Sequence, residues 1–301
     1  MSDSMKKFWK LYSALTALFV LLVVGSLYLI GYFEPAPEPE PAPAPVEVAE
    51  PEVPVVVETE IGRSVELRPI SATTIGNGDT HLLVVGGIHG GYEWNSALLA
   101  YELIDYYTAD PSLLPDTITL TIVPDLNPDA TTLATGVEGR FALSDVIDPD
   151  NRLAAGRFTV NGVDLNRNFD CKWQSESTWR GNVVSAGSAP FSEPEAAAIR
   201  DWVVANTPAA AIFLHSQANN VYASECEEGV LPETLTLMST YAKPANYGEV
   251  PVFDAYPITG DVEGWLASIG IPAVTVELET FNTTEFTRNL AGLTAVLELY
   301  K

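Results

Sequence analysis

Apolar strand-like segments alternate with helical segments from residue 81 onward, and this alternation constrains the fold more than any other feature of the chain. Short apolar runs rich in β-branched residues predict buried strands at 81–87, 116–123, 209–214 and 273–279. Helical patterns lie between or after them, at 96–107, 191–205, 234–242, through Trp265, and at 284–299. The order predicts an α/β protein with a central sheet covered by helices on both faces.

The beginning of the folded part is less regular. We predict that it starts near Glu60, which gives a single domain over residues 60–301. The segment 65–70 alternates like a strand, and the sequence Ile-Gly-Asn-Gly-Asp at 75–79 has the composition of a hairpin turn. Ser192 is the predicted N-cap of the helix at 191–205, because acidic residues follow it in the first turn.

An uncharged stretch from Leu11 to Phe33 is long enough to cross a bilayer as a helix. Lysines precede it and acidic residues follow it, which predicts a cytoplasmic tail at 1–10 and an extracytoplasmic C-terminus. The sequence therefore predicts a single-pass cell-membrane protein with a signal anchor at 11–33. The alternative is a secreted protein released by signal cleavage, although no convincing small-residue cleavage site precedes Glu34.

Residues 34–54 alternate proline with glutamate, alanine and valine, which predicts an extended spacer over residues 34–59 between membrane and domain. The formal net charge of −25 excludes nucleic acid as a partner, because no basic face is available to neutralise phosphates. The two cysteines, Cys171 and Cys226, lie beyond the predicted anchor, where an even count suggests a disulfide.

Candidate metal ligands follow two of the predicted strands. His89 and Glu93 come after the strand at 81–87, and His215 follows the strand at 209–214. Two imidazoles and one carboxylate form a ligand set that leaves a fourth zinc position open for water. Each histidine taken alone is more often an ordinary hydrogen-bonded residue, and that interpretation is kept for His81.

A zinc-bound water needs a general base, and the strand at 273–279 offers Glu277 and Glu279. Side chains two residues apart on a strand face the same side, so periodicity alone does not separate the two. Elsewhere, Gly-Val-Asp-Leu-Asn-Arg-Asn-Phe at 162–169 places Asn166 beside Arg167, whose planar fork of donors matches a carboxylate.

These motifs together resemble the zinc carboxypeptidases of the carboxypeptidase A/T type, over most of residues 60–301. The resemblance implies a mostly parallel mixed sheet and one Zn²⁺ per chain, held by His89, Glu93 and His215. It also implies a peptide substrate with a free C-terminal carboxylate, and it selects Glu277 over Glu279 as the general base.

The remaining roles come from the same resemblance. Asn166, Arg167 and the mobile-loop Tyr256 are expected to hold the substrate carboxylate. Arg157 is expected to polarise the scissile carbonyl, and Asp164 to orient a zinc histidine, His89. One departure is that the family usually has His-x-x-Glu, whereas this chain has an additional residue among glycines between His89 and Glu93.

Asp261 and Glu263 fall where the family builds its side-chain pocket, and acids there could receive a basic side chain or a free amine. They are equally typical of solvated acids at a helix start. Three function classes remain: a membrane-tethered carboxypeptidase, an amidase or endopeptidase of the same fold that acts on wall stem peptides or acyl amino acids, and a non-catalytic carboxylate-binding module. The sequence does not predict the oligomeric state.

Overall fold

A computed structural model describes residues 2–31, 55–149 and 154–301. The chain divides into two compact units, residues 1–51 and 52–301, and each is described by itself. The predicted linker at 34–59 lies almost entirely outside the described residues, and the predicted domain boundary near Glu60 falls inside the first strand of the second unit.

The described part of the first unit is a single helix, α1 (Asp3–Leu29). Its 27 residues span about 40 Å at 1.5 Å per residue, so the helix is long and apolar enough to cross a membrane. The helix starts before the predicted span at Leu11 because the lysine-containing segment ahead of it also favours helix.

The described residues of the second unit form twelve strands and six helices. The strands are β1 (Val56–Arg63), β2 (Pro69–Ile75), β3 (Thr80–Val85), β4 (Ile118–Val123), β5 (Glu176–Trp179), β6 (Asn182–Ser185), β7 (Ala210–Ser216), β8 (Asn220–Ala223), β9 (Glu225–Cys226), β10 (Gly229–Val230), β11 (Gly248–Val250) and β12 (Ala273–Leu278). The helices are α2 (Trp94–Ala109), α3 (Pro128–Thr135), α4 (Pro194–Asn206), α5 (Pro232–Ala245), α6 (Val262–Ser268) and α7 (Phe286–Tyr300).

Eight of these strands form one mixed sheet in the order β1-β2-β4-β3-β7-β12-β8-β11. The four central strands, β4, β3, β7 and β12, are parallel to one another. β1, β2 and β8 pair antiparallel to their inner neighbours, and β11 is parallel to β8. Because parallel strands end at the same edge, the segments that follow β3, β7 and β12 lie together at that edge.

Helices cover both faces of the sheet, as predicted. On one face, α2, α5 and α7 pack against alternate strand residues such as Val84, Ile212 and Val276. On the other face, α4 and α6 pack against the intervening residues, such as Val85 and Phe213. The alternation arises because successive strand side chains point to opposite faces. The α/β architecture predicted from the sequence is thus confirmed.

Three local predictions are wrong. The segment 65–70 is mostly the turn that joins β1 to β2, with Leu67 at φ 65°. The turn at 75–79 is not a hairpin, because β2 and β3 are separated in the sheet by β4. Helix α4 is preceded by Glu193 rather than Ser192, because Pro194 occupies the first helical position.

Candidate active site

Three buried side chains converge where β3 and β7 end. The Nδ1 atoms of His89 and His215 lie 3.2 Å apart. Glu93 faces both rings, with Oε1 3.0 Å from Nδ1 of His89 and Oε2 3.1 Å from Nδ1 of His215. All three residues are at least 95% buried, so two nitrogen lone pairs and a carboxylate point at one enclosed spot.

The additional residue between His89 and Glu93 is taken up by a 3₁₀ turn over Gly90–Glu93. Gly90 has φ +43°, and a Cβ there would lie 2.4 Å from Cβ of Ala130. A Cβ on Gly91 would lie 2.5 Å from Cβ of Ala134. The turn therefore packs directly on α3 and needs glycine at both positions, and in this conformation Glu93 faces the two histidines.

The donor set fits a zinc ion. Tetrahedral ligands at 2.0–2.1 Å from Zn²⁺ are about 3.3 Å from one another, close to the separations among His89, Glu93 and His215. Each outer ring nitrogen also faces a carboxylate at ion-pair distance: Nε2 of His89 lies 3.4 Å from Asp164 Oδ1, and Nε2 of His215 lies 3.4 Å from Glu263 Oε1. A carboxylate behind each histidine fixes the ring and its tautomer for metal binding.

The charges in this cluster depend on one another. Burial by itself raises the pKa of Glu93, but the neighbouring His89 and His215 hold it well below its ordinary value. Burial would lower the pKa of His215, whereas hydrogen bonds with Glu263 and Glu93 raise it to about 10. The cluster thus keeps its carboxylates ionised, which is the form in which a carboxylate binds a metal ion.

Asp164 joins the cluster to a buried arginine. Its side chain is fully buried, and its Oδ2 accepts hydrogen bonds at 2.9 Å from both Nε and Nη2 of Arg157. Burial raises the pKa of Asp164, but the charge of Arg157 and the hydrogen bond with His89 outweigh it and place the pKa far below the ordinary value. Nη1 of Arg157 lies 3.6 Å from Glu93, so this guanidinium stands at the edge of the metal cluster.

Arg167 is buried, and no carboxylate of the described residues lies within ion-pair distance of it, although the charges of Asp164 and Asp261 act on it from farther away. It is 4% exposed, and its Nε has no hydrogen-bond partner among the described residues. Its other nitrogens donate only to backbone carbonyls, those of Asn166 at 2.5 Å and Thr178 at 3.5 Å. A buried cation with neutral partners is costly unless a ligand supplies the opposite charge.

Glu277 lies next to the metal cluster through strand register. β12 runs parallel to β7 with Glu277 beside His215. Glu277 and Thr275 line the cavity, whereas Val274, Val276 and Leu278 point into the core. Glu279 lies beyond the end of β12, and its carboxylate pairs with Arg288 at 3.0 Å, away from the cluster. The structure thus places Glu277 at the cavity and Glu279 outside it, a distinction that the two-residue side-chain period of a strand could not make.

These residues line one cavity of about 780 Å³. Its walls include the metal cluster, Arg157, Asn166, Arg167, Tyr256 and Glu277. Tyr256 lies on the irregular segment between β11 and α6, and its ring packs edge-on against Phe253 with 4.8 Å between centroids. The volume is in the range that ligand-binding sites occupy, and here the cavity adjoins the His89–Glu93–His215 cluster and a buried cation.

Asp261 and Glu263 also border the cavity, but each already has protein partners. Asp261 caps α6 by accepting a hydrogen bond from the Gly264 N–H at 2.7 Å. Burial and the charge of Glu263 raise the pKa of Asp261 to about 6. Glu263 is 3% exposed and contacts three side chains, those of His215, Thr275 and Asn166.

Two structural supports of the site were not apparent as such from the sequence. Asn95 is fully buried, accepts a hydrogen bond from the Ser216 hydroxyl, and donates to the carbonyls of Thr280 and Thr283. In the sequence, only its position two residues after Glu93, a candidate ligand, could have indicated that Asn95 belongs to the site. Glu263 was assigned only to a substrate pocket, whereas its contacts place it behind His215.

The two cysteines form a disulfide that supports the same wall of the cavity. Cys171 and Cys226 are joined with their Cα atoms 6.0 Å apart. The carbonyl of Cys171 accepts a hydrogen bond from the Gly260 N–H at 2.7 Å. The disulfide ties β9 to the segment that follows Asn168, and the hydrogen bond ties that segment to the loop that carries Tyr256.

Comparison with curated proteins finds an endopeptidase and a murein peptide amidase among the similar sequences. The chain is 27% identical over 245 residues to gamma-D-glutamyl-L-diamino acid endopeptidase 1 of Lysinibacillus sphaericus, covering 75% of this chain and 61% of that protein. It is 26% identical over 151 residues to murein peptide amidase A of Escherichia coli K12, covering 46% and 58%. The chain thus spans about three fifths of the length of these relatives.

Solved structures share the fold. Carboxypeptidase A from Helicoverpa armigera superposes with a TM-score of 0.61 at 21% identity, over 81% of this chain and 67% of that one. The murein-tripeptide amidase from Escherichia coli O157 superposes with a TM-score of 0.56 at 22% identity, over 81% and 91%. A profile of the zinc carboxypeptidase family matches residues 47–289. The resemblance predicted from the motifs is confirmed, and the chain belongs to the zinc carboxypeptidase family.

Proposed function

We propose that this protein is a membrane-tethered, extracytoplasmic zinc metallocarboxypeptidase, which hydrolyses the amide bond next to a residue that bears a free carboxylate. The observation that carries this proposal is the pairing, in one cavity, of the His89–Glu93–His215 cluster with the buried Arg167, whose Nε has no hydrogen-bond partner among the described residues. The first provides a metal site and the second an anion site, and a peptide C-terminus supplies the anion.

The proposed mechanism assigns one task to each side chain. His89, Glu93 and His215 would hold Zn²⁺, which lowers the pKa of water and polarises a carbonyl oxygen. Glu277 takes the proton of the attacking water and passes it to the leaving amine, because it stands beside His215 in the strand register.

The other residues position and stabilise the substrate. Arg157 donates to the carbonyl oxygen as negative charge develops there, and Asp164 holds both Arg157 and His89 in place. Arg167 binds the free carboxylate, with the Asn166 amide beside it. Tyr256, on the segment before α6, closes over the bound peptide.

The proposed location rests on α1. A basic segment before its apolar part and acidic residues after it favour a cytoplasmic N-terminus, with the catalytic unit on the other side of the membrane. The Cys171–Cys226 disulfide supports an oxidising compartment. The alternative remains a secreted protein, if α1 is removed as a signal sequence.

A second candidate function is cleavage of peptidoglycan stem peptides by the same residues. The similarity to the two curated relatives favours it, because one is named as a murein peptide amidase and the other as an endopeptidase for gamma-D-glutamyl-L-diamino acid bonds. The chemistry at zinc is the same in the two proposals. The difference lies in which peptide fits the rest of the cavity.

The test is an assay of the full chain in detergent against two sets of substrates, unmodified C-terminal peptides and muropeptides. We expect amino acid release that a chelator abolishes and zinc restores. Glu277→Gln should lower kcat by about 10²–10⁴-fold while the protein still binds one zinc. Glu279→Gln is the matched control and should leave kcat unchanged. Absence of stoichiometric zinc binding by the wild-type chain would refute the catalytic proposal and favour a binding module.

A further inference from the structure

Cationic side chains are concentrated around the cavity of a strongly acidic chain. The sequence holds 15 Lys and Arg against 40 Asp and Glu. The cations that line the cavity are Arg157, Arg167, Lys172 and Arg180. A cation that has no anionic partner within the protein is available to bind an anionic group of a substrate.

Three of the four have an assigned partner. Arg157 pairs with Asp164 and approaches Glu93. Nζ of Lys172 lies 3.7 Å from Glu225. Arg167 is the proposed site of the terminal carboxylate. Arg180 differs, because it forms no ion pair with any residue in the described part of the chain, and its side chain is exposed at the cavity wall.

Arg180 is held in a defined position despite its exposure. It lies in the turn between β5 and β6, with its guanidinium carbon 5.6 Å from the centroid of the Trp179 ring. The same ring lies 4.6 Å from the guanidinium carbon of Arg157. Stacking on tryptophan orders an arginine and leaves its N–H donors available to a ligand.

The hairpin also sets the distance between the two anion sites. The carbonyl of Thr178 accepts a hydrogen bond from Arg167, and Arg180 follows two residues later. Arg180 stands in the turn that follows β5, with φ 50°, so its Cα lies at most about 7 Å from that of Thr178, the length of two extended residues. A carboxylate that contacts Arg180 can therefore belong to the residue that binds at Arg167 or to the residue before it.

Two acids at the cavity wall, which could have received a basic side chain of the substrate, already have protein partners, and Glu225 at the same wall pairs with Lys172. Asp261 is occupied as the cap of α6, and Glu263 contacts His215, Thr275 and Asn166. The sequence-based expectation that these two acids receive a basic side chain thus has less support than an acidic preference.

We propose that Arg180 binds a second carboxylate of the substrate, so that the enzyme prefers acidic peptides. The second carboxylate belongs either to the side chain of the C-terminal residue or to the residue before it. This inference rests on the proposed function, since it takes the carboxylate site at Arg167 as the first anchor.

Peptide pairs that differ only between Glu and Gln test the proposal, because the two side chains have nearly the same shape. The full chain in detergent is assayed with acyl-Ala-Ala-Glu against acyl-Ala-Ala-Gln, and with acyl-Ala-Glu-Ala against acyl-Ala-Gln-Ala. We expect kcat/KM to favour the acidic member of at least one pair by about five- to tenfold, as for a partly ordered surface contact. The preference should shrink at high salt.

Arg180→Gln should bring that ratio close to one and leave kcat/KM for the neutral peptide unchanged, whereas Arg180→Lys should retain part of the preference. Lys243→Gln is the matched control, because this exposed lysine of α5 lies outside the cavity and its loss removes the same charge. A wild-type enzyme that shows no preference, or a preference that survives Arg180→Gln, would overturn the proposal.

A binding measurement separates this inference from the proposed function. Calorimetric titration compares glutarate, which has two carboxylates, with glutaramate, which has one. Tighter binding of glutarate that Arg180→Gln removes would support the second site even if no peptide were hydrolysed. Equal binding of the two ligands would refute the second site, whatever the enzyme cleaves.

Discussion

Breaking the Cys171–Cys226 disulfide is expected to cost a large part of the stability of the catalytic unit. Both cysteines are buried, with exposures of 3% and 9%, and both pack in the hydrophobic cluster under α4 and α6. Reduction leaves two thiols of nearly the same volume, so packing changes little. The main effect is the release of a chain loop in the unfolded state.

The size of that effect follows from the sequence separation of 55 residues between the two cysteines. In the chain-entropy treatment, a loop of this length changes the entropy of the unfolded state by about 14 cal/mol/K, or about 4 kcal/mol at 25 °C. For a domain of this size that corresponds to a decrease in Tm of roughly 10 °C.

The assay is denaturant unfolding of the full chain in detergent, with and without a reductant, with thiol labelling to verify that both cysteines are free. The Cys171→Ala/Cys226→Ala double variant is the control and should not respond to the reductant. A decrease of less than about 1 kcal/mol in a fully reduced wild type would refute the argument, since it would mean that the 55-residue loop is already constrained without the bond.

Three further changes test other parts of the structure. Burial raises the pKa of Glu195 to about 7, so the contribution of this residue to the free energy of unfolding should fall as pH rises from about 4.5 to 7. The Glu195→Gln variant lacks this loss, so denaturant unfolding should show its stability relative to the wild type increasing by about 2–3 kcal/mol from pH 5 to pH 8. Glu263→Gln should weaken zinc binding about 10–100-fold in a chelator competition, because it disturbs the contact behind His215, and unchanged affinity would contradict that role. Arg167→Gln should raise KM for peptides with a free C-terminus while amidated peptides remain equally poor substrates, and a selective loss of kcat alone would argue against a carboxylate site.

The part of the fold that sequence predicts well is the sheet and its covering helices. The central strands have uniformly apolar residues because both of their faces are buried, as for Leu82 and Leu83 in β3. The candidate ligands follow such strands, so their position at one edge of the sheet could be anticipated. Strand register then resolves Glu277 from Glu279, which no sequence period could do.

The errors occur where tertiary contacts override local pattern. Ser192 has the composition of an N-cap, but its hydroxyl accepts a hydrogen bond from the Asn168 side chain instead. Helix α3 lies outside the helical segments predicted from the sequence because it is short and rich in threonine, although Asn127 caps it by accepting a hydrogen bond from the Ala130 N–H. An asparagine directly before a proline was the signal that could have identified its start.

The role of Glu263 could not be predicted from the sequence for a related reason. Its three partners come from β7, β12 and the 162–169 motif, which are far apart in sequence. Charge and position suggested a substrate contact, and only the packing of α6 shows that the carboxylate points toward His215. The disulfide, in contrast, could be predicted from an even number of cysteines beyond the predicted anchor.

Asn95 links the candidate metal site to two other segments of the sheet edge. It sits two residues from Glu93 and holds, through Ser216, Thr280 and Thr283, both the end of β7 and the loop beyond β12. A zinc ion bound as proposed would fix Glu93, and with it the start of α2 and the contacts of Asn95. We therefore expect amide hydrogens in residues 279–285 to exchange faster in metal-free than in zinc-loaded protein, although none of these residues is a proposed ligand.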